Sequence, residues 1–189
     1  AYDGQVIRNL TQGFDLNHGF EYIGTAGGLR GNLVPWISWA PVGDRVAYFA
    51  RENKGKTLII HNVVTGKIEQ RVRLDHLDAP ESPAFSPDGR YVAFAALSSG
   101  VTDIYVLDLT SRSVRNVTND QTADYAPTFA PDGQSIVYTA RIGGNDKLFR
   151  LNLATGEREQ LTFGAHDDTA ARFIDADTLL FTSTATDPE

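Results

Sequence analysis

Residues 81–124, ESPAFSPDGRYVAFAALSSGVTDIYVLDLTSRSVRNVTNDQTAD, contain four short runs rich in Val, Ile, Leu, Tyr and Phe. The runs fall at 84–86, 91–95, 103–109 and 114–118. Each stops at turn-forming residues, so the pattern has the period of strands and not of helices. Ser86-Pro87-Asp88-Gly89 is a turn with a mechanism. Pro87 presets φ at the first corner, Asp88 can accept hydrogen bonds from the backbone ahead, and Gly89 supplies the positive φ that ends such turns.

The same unit recurs on both sides. YAPTFAPDGQSIVYTARIGGNDKLFRLNLATGEREQLTFGAHDD (125–168) keeps nearly every apolar position, and PWISWAPVGDRVAYFARENKGKTLIIHNVVTGKIEQRVRLDHLD (35–78) follows the same plan. TAARFIDADTLLFTSTATDPE (169–189) is its first half. Trp39, Phe85, Phe129 and Phe173 correspond, which sets a period of about 44 to 46 residues, that of four-stranded propeller blades. Thr65-Gly66, Ser111-Arg112 and Thr155-Gly156 supply short hairpin loops between third and fourth strands. A lone four-stranded sheet of this composition would leave one apolar face in water. Stacking such sheets around an axis buries both faces and shortens exposed edges.

The expected fold class is therefore all-β, a β-propeller of four-stranded antiparallel blades, present here as about three full blades plus two part-blades. Residues 1–189 read as one segment, with full blades at about 36–78, 81–122 and 125–166 and blade remnants at 1–12 and 170–189. A long inter-blade loop takes up 12–35. Small residues such as Ser38, Ala84 and Ala126 suit the crowded innermost strand. The preferred reading is a piece of a longer chain, with the parent's remaining blades or another copy covering the open ends. The rival is a four-bladed ring closed by pairing residues 3–11 with the C-terminal half blade.

The run SPAFSPDGRYVAF, followed by DIYVLDL and RNVT, resembles the repeat of TolB-like propellers, a WD-like repeat also similar to those of prolyl-oligopeptidase-type and tricorn-type peptidases and of oligogalacturonate lyases. The likeness covers 36–185 and speaks to fold more than to function. It implies a six-bladed ring, protein partners bound through loops and the channel mouth, and a periplasmic or otherwise extracytoplasmic bacterial location.

Composition narrows the function classes. With 41% hydrophobic and 22% charged residues the chain suits an ordinary globular core. No run approaches the roughly 20 apolar residues of a membrane-spanning helix, and residues 1–10 lack the pattern of a signal peptide. A net charge of -7 without basic clusters argues against nucleic acid. The absence of cysteine removes disulfides, thiolate metal sites and a cysteine nucleophile. No Gly-x-Ser-x-Gly, Walker, dinucleotide-binding or His-Glu-x-x-His motif occurs, so no catalytic residue, metal ligand or cofactor is assigned.

Two candidate binding sets remain. The excess segment between an outer and an inner strand carries Phe14, His18, Phe20, Tyr22 and Trp36, which could form a partner-binding patch on one rim or fold back to cover a blade edge. Glu81, Asp124, His166, Asp167 and Asp168 precede or open inner strands. They could form an acidic channel mouth for a cation or a basic peptide, or cap loop amides. Asp88, Asp103, Asp108, Asp132 and Asn152 are expected at turns and strand ends, and His61 and His76 in structural places.

Three functions follow from these residues and the resemblance. The first is a non-catalytic protein- or ligand-binding scaffold. The second is the propeller of a larger hydrolase or peptidase whose active site lies outside this stretch. The third, a metal-dependent lyase of the oligogalacturonate kind, needs a histidine-rich channel, and a single histidine near the mouth argues against it.

Overall fold

The computed structural model describes residues 21–27, 32–52 and 54–186, and among them every regular element is a strand. The first blade runs from β4 (Ile37–Trp39) through β5 (Arg45–Glu52) and β6 (Gly55–Asn62) to β7 (Lys67–Arg73). The second is β8 (Asp78–Phe85), β9 (Tyr91–Ser98), β10 (Val101–Asp108) and β11 (Val114–Asn116). The third is β12 (Asp124–Phe129), β13 (Ser135–Ile142), β14 (Asn145–Asn152) and β15 (Arg158–Gln160), and a part-blade pairs β16 (Asp168–Phe173) with β17 (Leu179–Ser183). Within these blades consecutive strands pair antiparallel, and the inner strands β4, β8, β12 and β16 lie each against the next. The sheets form a fan of blades that is not closed among the described residues.

Alternation along each strand feeds two cores at once. On β9, Val92, Phe94 and Ala96 join Phe49, Leu58 and Leu74 of the first blade, while Ala93 and Ala95 join Ile136 and Tyr138 of the third. Val137 and Leu148 then pack toward Ala171 of the part-blade. Burial of both faces is the physical content of the propeller stack, and it is why no blade here reads as half polar.

Turn chemistry fixes where strands stop. Gly89 donates its amide to Ser86 O at 2.8 Å with φ +69°, Asp88 accepts from Arg90 N, and Gly133 repeats the bond to Ala130 O. Asn62, Asp108 and Asn152 each accept two amides of the following hairpin. The next corner has positive φ at Gly66, Arg112 and Gly156, a conformation that suits glycine and strains Arg112.

The inner strands hold a feature that side-chain size alone did not announce. Ser82, Ala126 and Ala170 occupy one register position, with φ of 50°, 51° and 55°, and each lies in a β-bulge. A small side chain there answers a left-handed backbone as well as crowding. In the first blade the inner strand is interrupted at the corresponding place. β1 (Glu21–Tyr22) pairs with Arg51 and Ala50 of β5, β4 resumes opposite Tyr48, and between them β2 (Gly24–Gly27) and β3 (Asn32–Pro35) pair with each other. Part of the expected inter-blade loop is thus a hairpin inserted within an inner strand.

Candidate functional site

Strands, together with the loop after β11, place carboxylates in the seams between blades. Asp103 near the start of β10 and Lys147 in β14 are register equivalents, opposite Ala96 and Ala140, and Thr57 holds the same place opposite Ala50. Across the seam, Asp124 opens β12 and Asp168 opens β16, while Pro80 stands at that position in β8. By register the first seam carries Thr57 and Pro80 at these two positions, while the second brings Asp103 to Asp124 and the third Lys147 to Asp168.

In the third seam the charges match. Lys147 Nζ lies 2.8 Å from Asp168 Oδ2, both side chains at most 3% exposed, and Nζ also donates to Phe163 O at 3.3 Å. Burial pushes the Asp168 carboxyl up, but the Lys147, Ser183 and Thr162 bonds outweigh it and hold the group below its ordinary value. His166 Nε2 sits 3.3 Å from the same oxygen.

In the second seam they do not. Asp103 accepts from Asn116 Nδ2 at 2.8 Å and from Thr118 Oγ1 at 3.2 Å. Asp120 accepts Thr122 N and forms an ion pair with Arg158 of β15, which also donates to Thr118 O. Burial raises Asp120, yet the Arg158 bond and the Thr122 amide prevail and keep its carboxyl low. Asp124 is 1% exposed and neither carboxylate oxygen receives a hydrogen bond. Thr118 has one hydroxyl proton and directs it to Asp103, so it tempers Asp124 without completing a bond.

Burial first, then the charges of Asp120 and Asp103, push the Asp124 carboxyl up to about 7 from 3.8. Between those values the folded state keeps a proton that the unfolded chain releases. Stability from this group therefore falls as pH rises from 3.8 toward 7, by up to about 1.4 kcal/mol per pH unit. In metal-free buffer, the wild type is expected to lose ground to Asp124→Asn across that window in urea melts. Parallel curves for the two proteins would contradict the assignment.

The remaining expected residues fall elsewhere. Asp167 Oδ1 accepts Asp146 N at 2.9 Å and Asn145 Nδ2, and the amide bond in particular lowers its carboxyl; it caps the β14 hairpin. Glu81 lies one register position past Asp124, opposite Ala95, and its half-buried carboxyl is raised by burial. The structure thus brings together Asp168, His166 and Lys147 in one seam and leaves Asp124 in another. Phe14, His18 and Phe20 lie outside the described residues. Tyr22 is in β1, and Trp36, half-buried, directly precedes β4. Asp103, Asp120, Lys147 and Arg158 were missed as site residues. The aligned repeats carried a signal for the first and third, since Thr57, Asp103 and Lys147 change charge at one repeat position.

A family model described as the TolB beta propeller domain matches residues 32–188. The Tol-Pal system protein TolB of Gluconobacter oxydans is 31% identical over 83 residues, 44% of this chain and 18% of that protein. TolB from Acinetobacter baumannii superposes with a TM-score of 0.63 at 28% identity, covering 72% of this chain and 34% of that one. The Pyrococcus horikoshii acylaminoacyl peptidase, with a TM-score of 0.55 at 15% identity over 78% of this chain and 28% of that one, shares the fold alone. The chain spans less than a fifth of the length of the Gluconobacter relative. Because the family model runs through the three blades and the part-blade together, the chain belongs to the TolB β-propeller domain family.

Proposed function

We propose that this chain is a non-catalytic binding scaffold that docks a protein or peptide partner of the Tol-Pal kind through loops on one rim, in an extracytoplasmic compartment. The 31% identity to a Tol-Pal system TolB carries this reading. The rim supports it physically. The loops after β7, β11 and β15 carry Asp75, Asp120 and Asp167, and with a net charge of -7 they favour a partner segment rich in Lys or Arg. Arg73 pairs with the exposed Asp75 at 2.8 Å and, more than any other group, holds its carboxyl low, so an incoming Lys or Arg competes with that guanidinium. Peptidase propellers at 15% identity share only the architecture and do not favour a hydrolase.

Titration calorimetry of the protein against the Pal component of the same organism is expected to show saturable binding that weakens with salt. Combining Tyr22→Ala with Trp36→Ala should weaken it about tenfold or more while the melting temperature stays nearly constant. A titration without heat at high protein concentration would overturn the reading. A drop in melting temperature with unchanged affinity would instead give the inserted segment a covering role.

A further inference from the structure

We propose that Asp103, Asp120 and Asp124 hold a hard divalent cation, calcium in type, in the seam between the second and third blades. Three features converge on it. The donor oxygens of the three carboxylates lie within 4.8 Å of one another, a spread that one ion can bridge. Asp124 is almost wholly buried with both oxygens unpartnered, although such groups in native proteins nearly always have a partner. The neighbouring seam shows what a satisfied version looks like, because there Lys147 presents an ammonium to Asp168 from the register position that Asp103 occupies here.

The missing positive charge cannot come from the protein groups in view. Arg158, the one cation facing the cluster among the described residues, is engaged by Asp120 and Thr118 O, and Tyr138 from β13 adds a neutral phenol. Three carboxylates against one guanidinium leave a formal deficit that a doubly charged ion cancels. The donors are all oxygen, which selects hard cations over zinc or copper. Calcium accepts irregular geometry and mixed carboxylate modes, whereas magnesium demands a near-ideal octahedron that three carboxylates held by separate strands and a loop do not present. The ion would couple β10, the loop after β11 and β12, so its binding would tie adjacent blades together.

The test compares the protein stripped with chelator and the same protein in calcium, both at pH 8. Calcium is expected to raise the melting temperature in a dose-dependent way, and titration calorimetry should give one site. Asp124→Asn is expected to weaken calcium binding on the order of 100-fold. Asp103→Lys, which transplants the Lys147 arrangement, should melt at the same temperature in calcium and in chelator, above the stripped wild type. Equal melting temperatures of the wild type in the two buffers would overturn the proposal. So would undiminished calcium affinity in both Asp124→Asn and Asp103→Lys, since either carboxylate would then be dispensable.

Discussion

Lys147→Met is expected to cost about 3–5 kcal/mol of unfolding free energy, because it removes the ammonium that Asp168 meets at 2.8 Å inside a seam where both side chains are nearly sealed from water. Most of that loss is the penalty of stranding a carboxylate, not the worth of the pair itself. Two consequences separate the two. In the variant, the Asp168 carboxyl is expected to move above its unfolded value, so the folded state binds the extra proton and the deficit shrinks as pH falls. In the wild type the carboxyl lies below its ordinary value, so its contribution is present above that value and lost as pH drops. Adding Asp168→Leu to Lys147→Met should recover much of the stability, as apolar replacements of buried ion pairs often do. Chemical denaturation of the three proteins from pH 4 to pH 8 checks this, and a deficit independent of pH would refute it.

Phe94→Ala is expected to cost a similar amount, about 3–5 kcal/mol. The ring has no exposed surface, meets Phe49 edge-on at 5.5 Å and stacks on Tyr105 at 5.7 Å. It therefore holds the first blade to the second as well as its own strands to each other, and the walls around it come from two sheets that cannot easily collapse into the gap. For a chain of this size the loss corresponds to a fall in melting temperature on the order of 10 °C. Val64→Ala, at a hairpin tip that is 61% exposed, should change stability by less than about 0.5 kcal/mol. If the two variants melted alike, the inter-blade core would be wrongly placed.

Much of the fold was legible in the chain because its signals are local. The Ser-Pro-Asp-Gly and Ala-Pro-Asp-Gly turns bond as their residues dictate, and Phe85, Phe129 and Phe173 recur at one register position. The inserted segment was legible by its length but not by its form. Only pairing with Arg51 and Ala50 reveals that Tyr22 belongs to an inner strand. Ala126 was marked as small for the right strand, yet its left-handed φ depends on a bulge that no single residue type announces.

The candidate site was legible only in part. Asp124 and Asp168 were named together as parts of one acidic mouth, whereas they sit in different seams with opposite fates. Asp168 meets Lys147, 21 residues away in sequence, and Asp124 meets Asp103 and Asp120. Period, turn residues and the alternation of apolar side chains determined the blades, since each is set by neighbours a few positions away. Which charges face one another across a seam was decided by tertiary structure alone. That outcome depends on how closely two stacked sheets approach and which way each side chain points, and differences of a few ångströms separate an ion pair from a carboxylate with no partner.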